Sequence, residues 1–354
     1  MALFKRKKRP QVVGLDIGSA FVKAVELRPI GNDYELVGFG MGPVPPGAIE
    51  QSEIKQPAAV QSAIRQALEQ GRIQATDASI GMSGGSVIAK RVTLPKMSEA
   101  ELAESIRWEA EQHIPFDIED VELDFQILRQ QGPQLEVMLV AVKKGKVQSY
   151  VDAVAEAGLG VVVVDVDVFA LETQYDYNFA GETAGETDVV ALVNIGHETT
   201  NTNILQGGVN VYARDVFVGG KQYSSTIAQR FDLTPADADA LVRGKQGSVS
   251  WAEIEPVLDL VSQELGQEIQ RTLDYFGTTA EHERIQRIFL SGGCALIPGL
   301  QDFLSSQWGI EVQPADPFKR IKLGPGLNAD VVQKLAPLAT VVTGLAMRYP
   351  DDRK

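Results

Sequence analysis

Three short stretches of this 354-residue chain place glycine and hydroxyl residues directly after an apolar run: Asp16-Ile-Gly-Ser19, Asn194-Ile-Gly-His-Glu-Thr-Thr200 and Ser291-Gly-Gly293. A fourth pair, Gly219 and Gly220, precedes a helical pattern. Glycine lets backbone N–H groups converge on an anion and approach it closely. Hydroxyls at the tips, as at Ser19, Thr199 and Thr200, donate to phosphate oxygens. A carboxylate beside such loops cannot grip phosphate itself. Asp16 is therefore read as an outer-shell ligand, orienting the waters that Mg²⁺ keeps around it. Taken singly, each loop is better read as a β-turn with a local Asx hydrogen bond. Two related hairpins together with Ser-Gly-Gly point to a nucleotide.

The elements that must position these loops are strands ending at them. Apolar runs predict strands over 11–17, 21–28 and 34–39, which puts Asp16 at a strand tip with a returning strand behind it. From Asp188 the sequence DVVALVNIGHETTNTNIL repeats the plan. Asp16 and Asn194 hold equivalent places, and the repeat implies two similar halves. The segment GPVPPGAIE (42–50) carries neither periodicity. A helix is expected over 57–70, with Val60, Ala63, Ile64, Ala67 and Leu68 on one face and Gly71 as its C-cap.

Residues 78–158 read as a separate unit in the order β-β-α-β-β-α. Its first helix opens on a capping box, Ser98 with Glu101, and ends at Pro115. Strands over 121–128 and 134–142 and a helix over 146–157 complete it. The stretch 160–171 reads as a buried strand and an apolar turn, and 180–187 as a polar linker. Further on come a strand over 209–218 and helices over 223–229, 235–242 and 256–276. A strand, glycine turn and helix over 287–304 and a last helix over 337–347 finish the chain.

The net charge of −14 excludes nucleic acid as a partner of the surface as a whole. A single cysteine, Cys294, excludes a disulfide framework. No apolar run reaches the roughly 18–20 residues of a membrane span, and no signal core opens the chain, so a cytosolic protein is expected. Residues 1–10, MALFKRKKRP, break the acidic pattern. They fit either a solubilising tail or a weak attraction to an anionic leaflet. Gly220-Lys221 is not a P-loop, because residue 215 is Asp and 222 is Gln. His113, His197 and His282 lack metal-ligand spacing, and nothing near Cys294 suggests an activating base.

The two phosphate hairpins, the Ser-Gly-Gly loop and the long second-half helix resemble the actin-like ATPase superfamily: an α/β fold of two related halves flanking a nucleotide cleft. The 78–159 unit resembles the extra subdomain of FtsA-like proteins. VGLDIGSAFVKAVEL, LPKMSEAELAESIRWEAEQHIPF and DPFKRIK with LAPLATVVTGLAMR narrow the resemblance to the PilM family of type IV pilus assembly proteins. It implies a basic tail (1–10), a first-half core (11–77 and 160–185) and the extra subdomain (78–159). It also implies a second-half core (186–222 and 286–335), a second-half small subdomain (223–285) and a C-terminal helix returning to the first half (336–354). The function implied is a cytoplasmic ATP-binding scaffold at the inner membrane that captures the N-terminal cytoplasmic tail of PilN. Through PilN it joins PilO, PilP and the secretin PilQ, and membrane contact runs mainly through that partner.

By the same resemblance Asp16, Gly18 and Ser19 form the first phosphate hairpin, and Asn194, Gly196, Thr199 and Thr200 the second. Gly219 and Gly220 precede the connecting helix, Asp239 faces the ribose, and Gly292 and Gly293 form the adenosine loop. Three departures stand out. Ala20 and Phe21 replace hydroxyls, and Val242 replaces a usual lysine, with Arg243 as its substitute. Asn194 stands where the second hairpin usually has Asp. Asn orients water but takes no proton, so ATP and Mg²⁺ binding with slow turnover is expected. Trp108 either packs under a neighbouring loop or helps form the partner groove, and a PilN tail could add to a strand edge near Val87 and Val92. Two alternatives remain: a filament-forming, FtsA-like membrane tether and a small-molecule kinase. Self-association is compatible with the scaffold reading.

Overall fold

The computed structural model describes residues 11–179, 188–279 and 284–350. The basic tail, the 180–187 linker and His282 lie outside these. The chain opens with β1 (Val12–Ile17), β2 (Phe21–Ile30) and β3 (Asp33–Pro43), each antiparallel to the next. A small hairpin follows, β4 (Ile49–Glu50) and β5 (Glu53–Ile54), starting at the end of the segment expected to be irregular. Its two turn residues, Gln51 and Ser52, have φ of 50° and 60°.

Helix α1 (Pro57–Gly71) lies directly on β3. Glycines at alternate positions of β3 permit this: a Cβ on Gly40 would stand 2.0 Å from the Ala67 carbonyl oxygen, and one on Gly42 1.9 Å from that of Ala63. Gly71 belongs to the same contact, with its Cβ position 2.9 Å from the Gly40 nitrogen. It is therefore a packing glycine inside the helix. The left-handed cap expected there is Arg72, at φ 52°.

Strand β6 (Asp77–Met82) pairs parallel with β1. The chain then leaves the first sheet for β7 (Val87–Pro95), α2 (Glu99–Glu111), β8 (Val121–Gln131) and β9 (Gln134–Lys143). Strands in the order β7-β9-β8 form a sheet with α2 against it. Its own core includes Val92, Leu102, Ile106, Ala110, Val137 and Leu139. The Ser98–Glu101 capping box is present. Helix α3 (Lys144–Glu156) returns to the first half, where Tyr150, Ala153 and Val154 enter its core. The separate unit is thus narrower than 78–159, because β6 and α3 pack with the first half. Chain order does not reveal that, since their partners are distant in sequence.

Strand β10 (Gly160–Val166) closes one edge of the first sheet, whose order is β10-β6-β1-β2-β3-β16. It is an edge strand with Val162 and Val164 exposed, not a buried one. The expected apolar turn after it is a helix, α4 (Asp167–Phe179).

The second half repeats the first. It contains β11 (Val189–Ile195), β12 (Thr200–Gln206) and β13 (Val209–Val216), then α5 (Lys221–Phe231), α6 (Pro235–Val242) and α7 (Trp251–Thr279). Helix α7 starts before Pro256, at Trp251, where Glu253 Oε2 reaches back to accept from the Ser250 N–H at 3.1 Å and from its hydroxyl at 2.6 Å. Next come β14 (Arg287–Ser291), α8 (Leu300–Trp308) and β15 (Glu311–Pro314). The sheet runs β15-β14-β11-β12-β13, matching β10-β6-β1-β2-β3 strand for strand.

The end of the chain crosses back. Strand β16 (Lys322–Leu323) pairs with β3, so part of 286–335 belongs to the first sheet. After α9 (Ala329–Leu335) and a 3₁₀ turn over Ala336–Ala339, α10 (Thr340–Ala346) packs on β1, β2, β6 and α4. Helices α4 and α10 share a core with the second sheet, in which Leu171, Tyr175 and Leu345 meet Leu192, Leu205 and Phe289, while Val342 and Ala346 of α10 enter the core of the first sheet with Val25 and Leu36. They form the spine between the halves. Among the described residues no helix is long and apolar enough to cross a membrane.

Candidate functional site

Between the two hairpins lies a cleft of about 530 Å³. In the first hairpin the Gly18 N–H donates to the Phe21 carbonyl at 3.1 Å, and in the second the Gly196 N–H donates to that of Thr199 at 2.9 Å. The residue at each strand tip faces across its own hairpin: Asp16 opposes Lys23, and Asn194 opposes Asn201. Lys23 Nζ lies 2.6 Å from Asp16 Oδ2. Asn194 Nδ2 donates to Asn201 Oδ1 at 2.9 Å.

Asp16, Gly18, Ser19, Asn194, Gly196 and Thr199 all line the cleft. Thr200 does not. It is buried, and its hydroxyl donates to the Val218 carbonyl at 2.8 Å, so it braces the hairpin from behind. Gly220 lines the cleft, whereas Gly219 is wedged behind it. A Cβ on Gly219 would stand 2.6 Å from the Gly196 oxygen.

On the far wall Gly292 and Gly293 line the opening. Gly292 has φ 86°, and its N–H donates to the Pro337 carbonyl at 2.8 Å, tying this loop to the C-terminal turn. Asp239 and Arg243 line the cleft and pair with each other at 2.8 Å. The Arg243 guanidinium also lies 5.2 Å from the centre of the Phe21 ring, across the cleft mouth. Val242 is buried under it, so Arg243 is the cation offered at that place.

Sequence reasoning missed several residues here. Lys23 is one. Asp167, the first residue of α4, is another: it lines the cleft, and Gly81 makes room for it, since a Cβ there would stand 2.1 Å from Asp167 Oδ1. Burial first, then the Asp16 charge, hold its carboxyl well above the usual range, against a hydrogen bond to Ser83. The signal available was an Asp at a strand end opening a helix. Lys146 donates to the Ser83 carbonyl, and burial pushes its ammonium down to about 8, opposed by Asp167, Asp215 and Glu53. Burial also lowers His197 and pushes the Cys294 thiol up to about 12, as expected of an inert core thiol.

A second groove, about 560 Å³, lies where the three-stranded unit meets the first half. Glu53 and Ile54 form one wall, Phe116 and Asp117 another, and Lys143 at the end of β9 lines it together with Lys144 and Lys146 at the start of α3. Lys143 Nζ stands 4.6 Å from the centre of the Phe116 ring. The two expectations for Trp108 separate here. Trp108 does not pack under a loop: it is 72% exposed on α2 and does not line this groove. Val92 is buried beneath α2 and offers no side chain to a partner, while Val87 is partly buried against the first-half core. Within its sheet β7 pairs on one side only, so its backbone edge is the part available for strand addition.

Comparison with known proteins agrees with this architecture. The family model of type IV pilus assembly protein PilM matches residues 14–350. A chain of the solved PilM–PilN type IV pilus biogenesis complex is 30% identical, with a TM-score of 0.86 over 96% of this chain and 98% of that one. Cell division protein FtsA of Escherichia coli K12 is 26% identical over 84% of this chain and 82% of its own length. MreB5 of Spiroplasma citri bound to AMPPNP shares the fold at 13% identity and a TM-score of 0.51, over 95% of this chain and 94% of its own.

Proposed function

The chain belongs to the PilM family of type IV pilus assembly proteins, and from that premise we propose that it is an ATP-binding scaffold holding the cytoplasmic N-terminal tail of a PilN partner. The observation that carries the nucleotide half is the pair of matched hairpins, Asp16 opposite Lys23 and Asn194 opposite Asn201, converging on one cleft. ATP enters with its phosphates between the hairpins. The Gly18, Ser19, Gly196 and Thr199 region supplies donors, and Lys23 supplies the cation. Asp239 and Arg243 flank the ribose, and Gly292 and Gly293 the adenosine.

Among the described residues no three carboxylate, imidazole or thiol groups converge to cage an ion. Mg²⁺ would be held by phosphate and water, with Asp16 as the carboxylate behind the waters. That ion supplies neutralisation of phosphate charge. Asn194 takes no proton, so turnover falls to Asp167, whose raised carboxyl is suited to accept one from an attacking water. The result is firm binding with slow hydrolysis.

The second groove is the place for the PilN tail. It is walled by both the three-stranded unit and the first half, with Phe116 under Lys143. PilN then holds this chain at the cytoplasmic face of the inner membrane and links it indirectly to PilO, PilP and the secretin PilQ. Calorimetric titration with Mg-ATP and, separately, with a PilN N-terminal peptide tests both halves. Absence of binding by the peptide ends the platform reading, and absence of binding by millimolar Mg-ATP ends the cleft reading.

A further inference from the structure

A line of polar side chains crosses the second sheet without a break. Ser291 Oγ donates to Asn194 Oδ1 at 3.2 Å, and Asn194 Nδ2 to Asn201 Oδ1 at 2.9 Å. Asn201 Nδ2 donates to Asp215 Oδ1 at 2.8 Å. The last three residues are direct register partners on β11, β12 and β13, so the line follows the strand ladder. It does not end in the second half. Asp215 Oδ2 accepts the backbone N–H of Gly84 at 2.7 Å, and Gly84 sits in the turn that carries the chain from β6 into β7.

That turn is tightly held. Gly84 has φ 86°, and a Cβ there would stand 2.8 Å from Ser52 Oγ. On its other side Lys146, which lines the partner groove, donates to the Ser83 carbonyl. The turn therefore touches the second half through Asp215 and the groove through Lys146.

We propose that Asp215 couples nucleotide occupancy of the cleft to the three-stranded unit and its groove, through the ladder of hydrogen bonds that starts at Asn194 and ends on the Gly84 amide. The coupling rests on the nucleotide reading of the cleft. Phosphates drawn between the hairpins fix the separation of the β1 and β11 tips. Gly84 moves with the first half and Asp215 with the second. A shift of about 1 Å between them takes this contact out of hydrogen-bond range, so the bond is either made or broken. The linkage is reciprocal: filling the groove changes nucleotide affinity by the same factor.

The test is hydrogen–deuterium exchange of the full chain with and without Mg-AMPPNP, for wild type and Asp215→Asn. In the variant one orientation of the amide points Nδ2 at the Gly84 donor and the other points it at the Asn201 donor, so one rung breaks either way. In wild type the analogue slows exchange at Gly18 and Gly196 and changes rates by about fivefold or more from Gly84 through β7. In Asp215→Asn the hairpins respond as before and β7 does not. Wild-type hairpins that respond while β7 stays silent overturn the coupling and leave the cleft reading intact, as does a variant in which β7 still responds. Silent hairpins in wild type remove the cleft reading and the coupling together. Asp215→Ala removes both rungs at once, with no amide left to orient, must give the same pattern, and decides alone if Asp215→Asn does not fold.

Discussion

Lys23 holds Asp16 across the first hairpin at 2.6 Å, while at the matching rung of the second hairpin Asn201 faces Asn194 at 2.9 Å. One rung is charged and the other neutral. The single carboxylate in this pair must then carry the metal dependence of nucleotide binding. For Asp16→Asn, the gain in ATP affinity on adding Mg²⁺ is expected to shrink by about tenfold, a loss of roughly 1.4 kcal/mol. Affinity measured in EDTA should fall little, because Lys23 is released to the phosphates. Titrations with and without Mg²⁺ check this, and an unchanged Mg²⁺ effect removes Asp16 from the metal's surroundings.

Restoring charge at the second hairpin is the converse experiment. Asn194→Asp places a carboxylate where Ser291 Oγ already donates at 3.2 Å. ATP hydrolysis is expected to rise by about tenfold or more, since preorganised charge at the reacting phosphate dominates such barriers. Release of ADP under single-turnover conditions reads it directly. No rise would mean that the missing carboxylate is not what makes turnover slow.

The hairpins were readable from sequence because each is local: an apolar strand, a glycine with hydroxyls, and a returning strand within some fifteen residues. Their equivalence, Asp16 with Asn194, was readable for the same reason. What was not readable was set by distant partners. Strand β6 looked like the start of the extra unit, yet it pairs with β1 and β10. Asp167 was missed because α4 is buried on several faces at once, from Val168 and Ala170 to Thr173, Gln174 and Asn178. A helix packed between two sheets shows no 3.6-residue stripe, so it read as an apolar turn. The valines of β10 looked buried because a run of β-branched residues is ambiguous without knowing which strand forms the edge.

The groove and the helix α2 give opposite expectations for two aromatic residues. Phe116→Ala removes an aromatic wall beneath Lys143 and should weaken PilN-peptide binding by about 2 kcal/mol, some thirtyfold. Trp108→Ala alters an exposed side chain outside the groove, so peptide affinity should change less than about twofold and stability by less than about 0.5 kcal/mol. Calorimetry and thermal melts on both variants decide it. A large loss with Trp108→Ala and none with Phe116→Ala would move the tail from the groove to α2.

Close approach of α1 to β3 predicts a stability loss that no contact list of side chains would suggest. Gly40→Ala sets a methyl 2.0 Å from the Ala67 carbonyl oxygen, against helix backbone that cannot rotate away. Overpacking of this kind costs about 1–3 kcal/mol or more, so the midpoint of urea unfolding should fall clearly. Gly31→Ala is the control, because nothing lies within 4 Å of its Cβ position. Its left-handed φ of 66° brings a smaller cost of backbone strain alone.

Asp167 ties the chemistry of the cleft to stability through pH. Its carboxyl is raised from 3.8 to about 7 in the folded chain, mainly by burial and then by the Asp16 charge. Between those two values the folded state holds the proton while the unfolded state has lost it. Stability contributed by this group therefore falls as pH rises from about 4 to about 7, and above 7 the full cost of a buried charge is present. Asp167→Asn removes that cost. In EDTA and without nucleotide, the variant should melt close to wild type near pH 4, progressively higher than wild type as pH rises to about 7, and by a constant margin above that. Each 1 kcal/mol is worth roughly 2 °C or more. The same substitution should abolish residual ATP hydrolysis while sparing ATP binding, because it takes away the proton acceptor and keeps the shape. A variant less stable than wild type at pH 8 would show that Asp167 is held ionised by partners such as Lys146. The raised carboxyl would then be wrong, and with it the assignment of slow turnover to this residue.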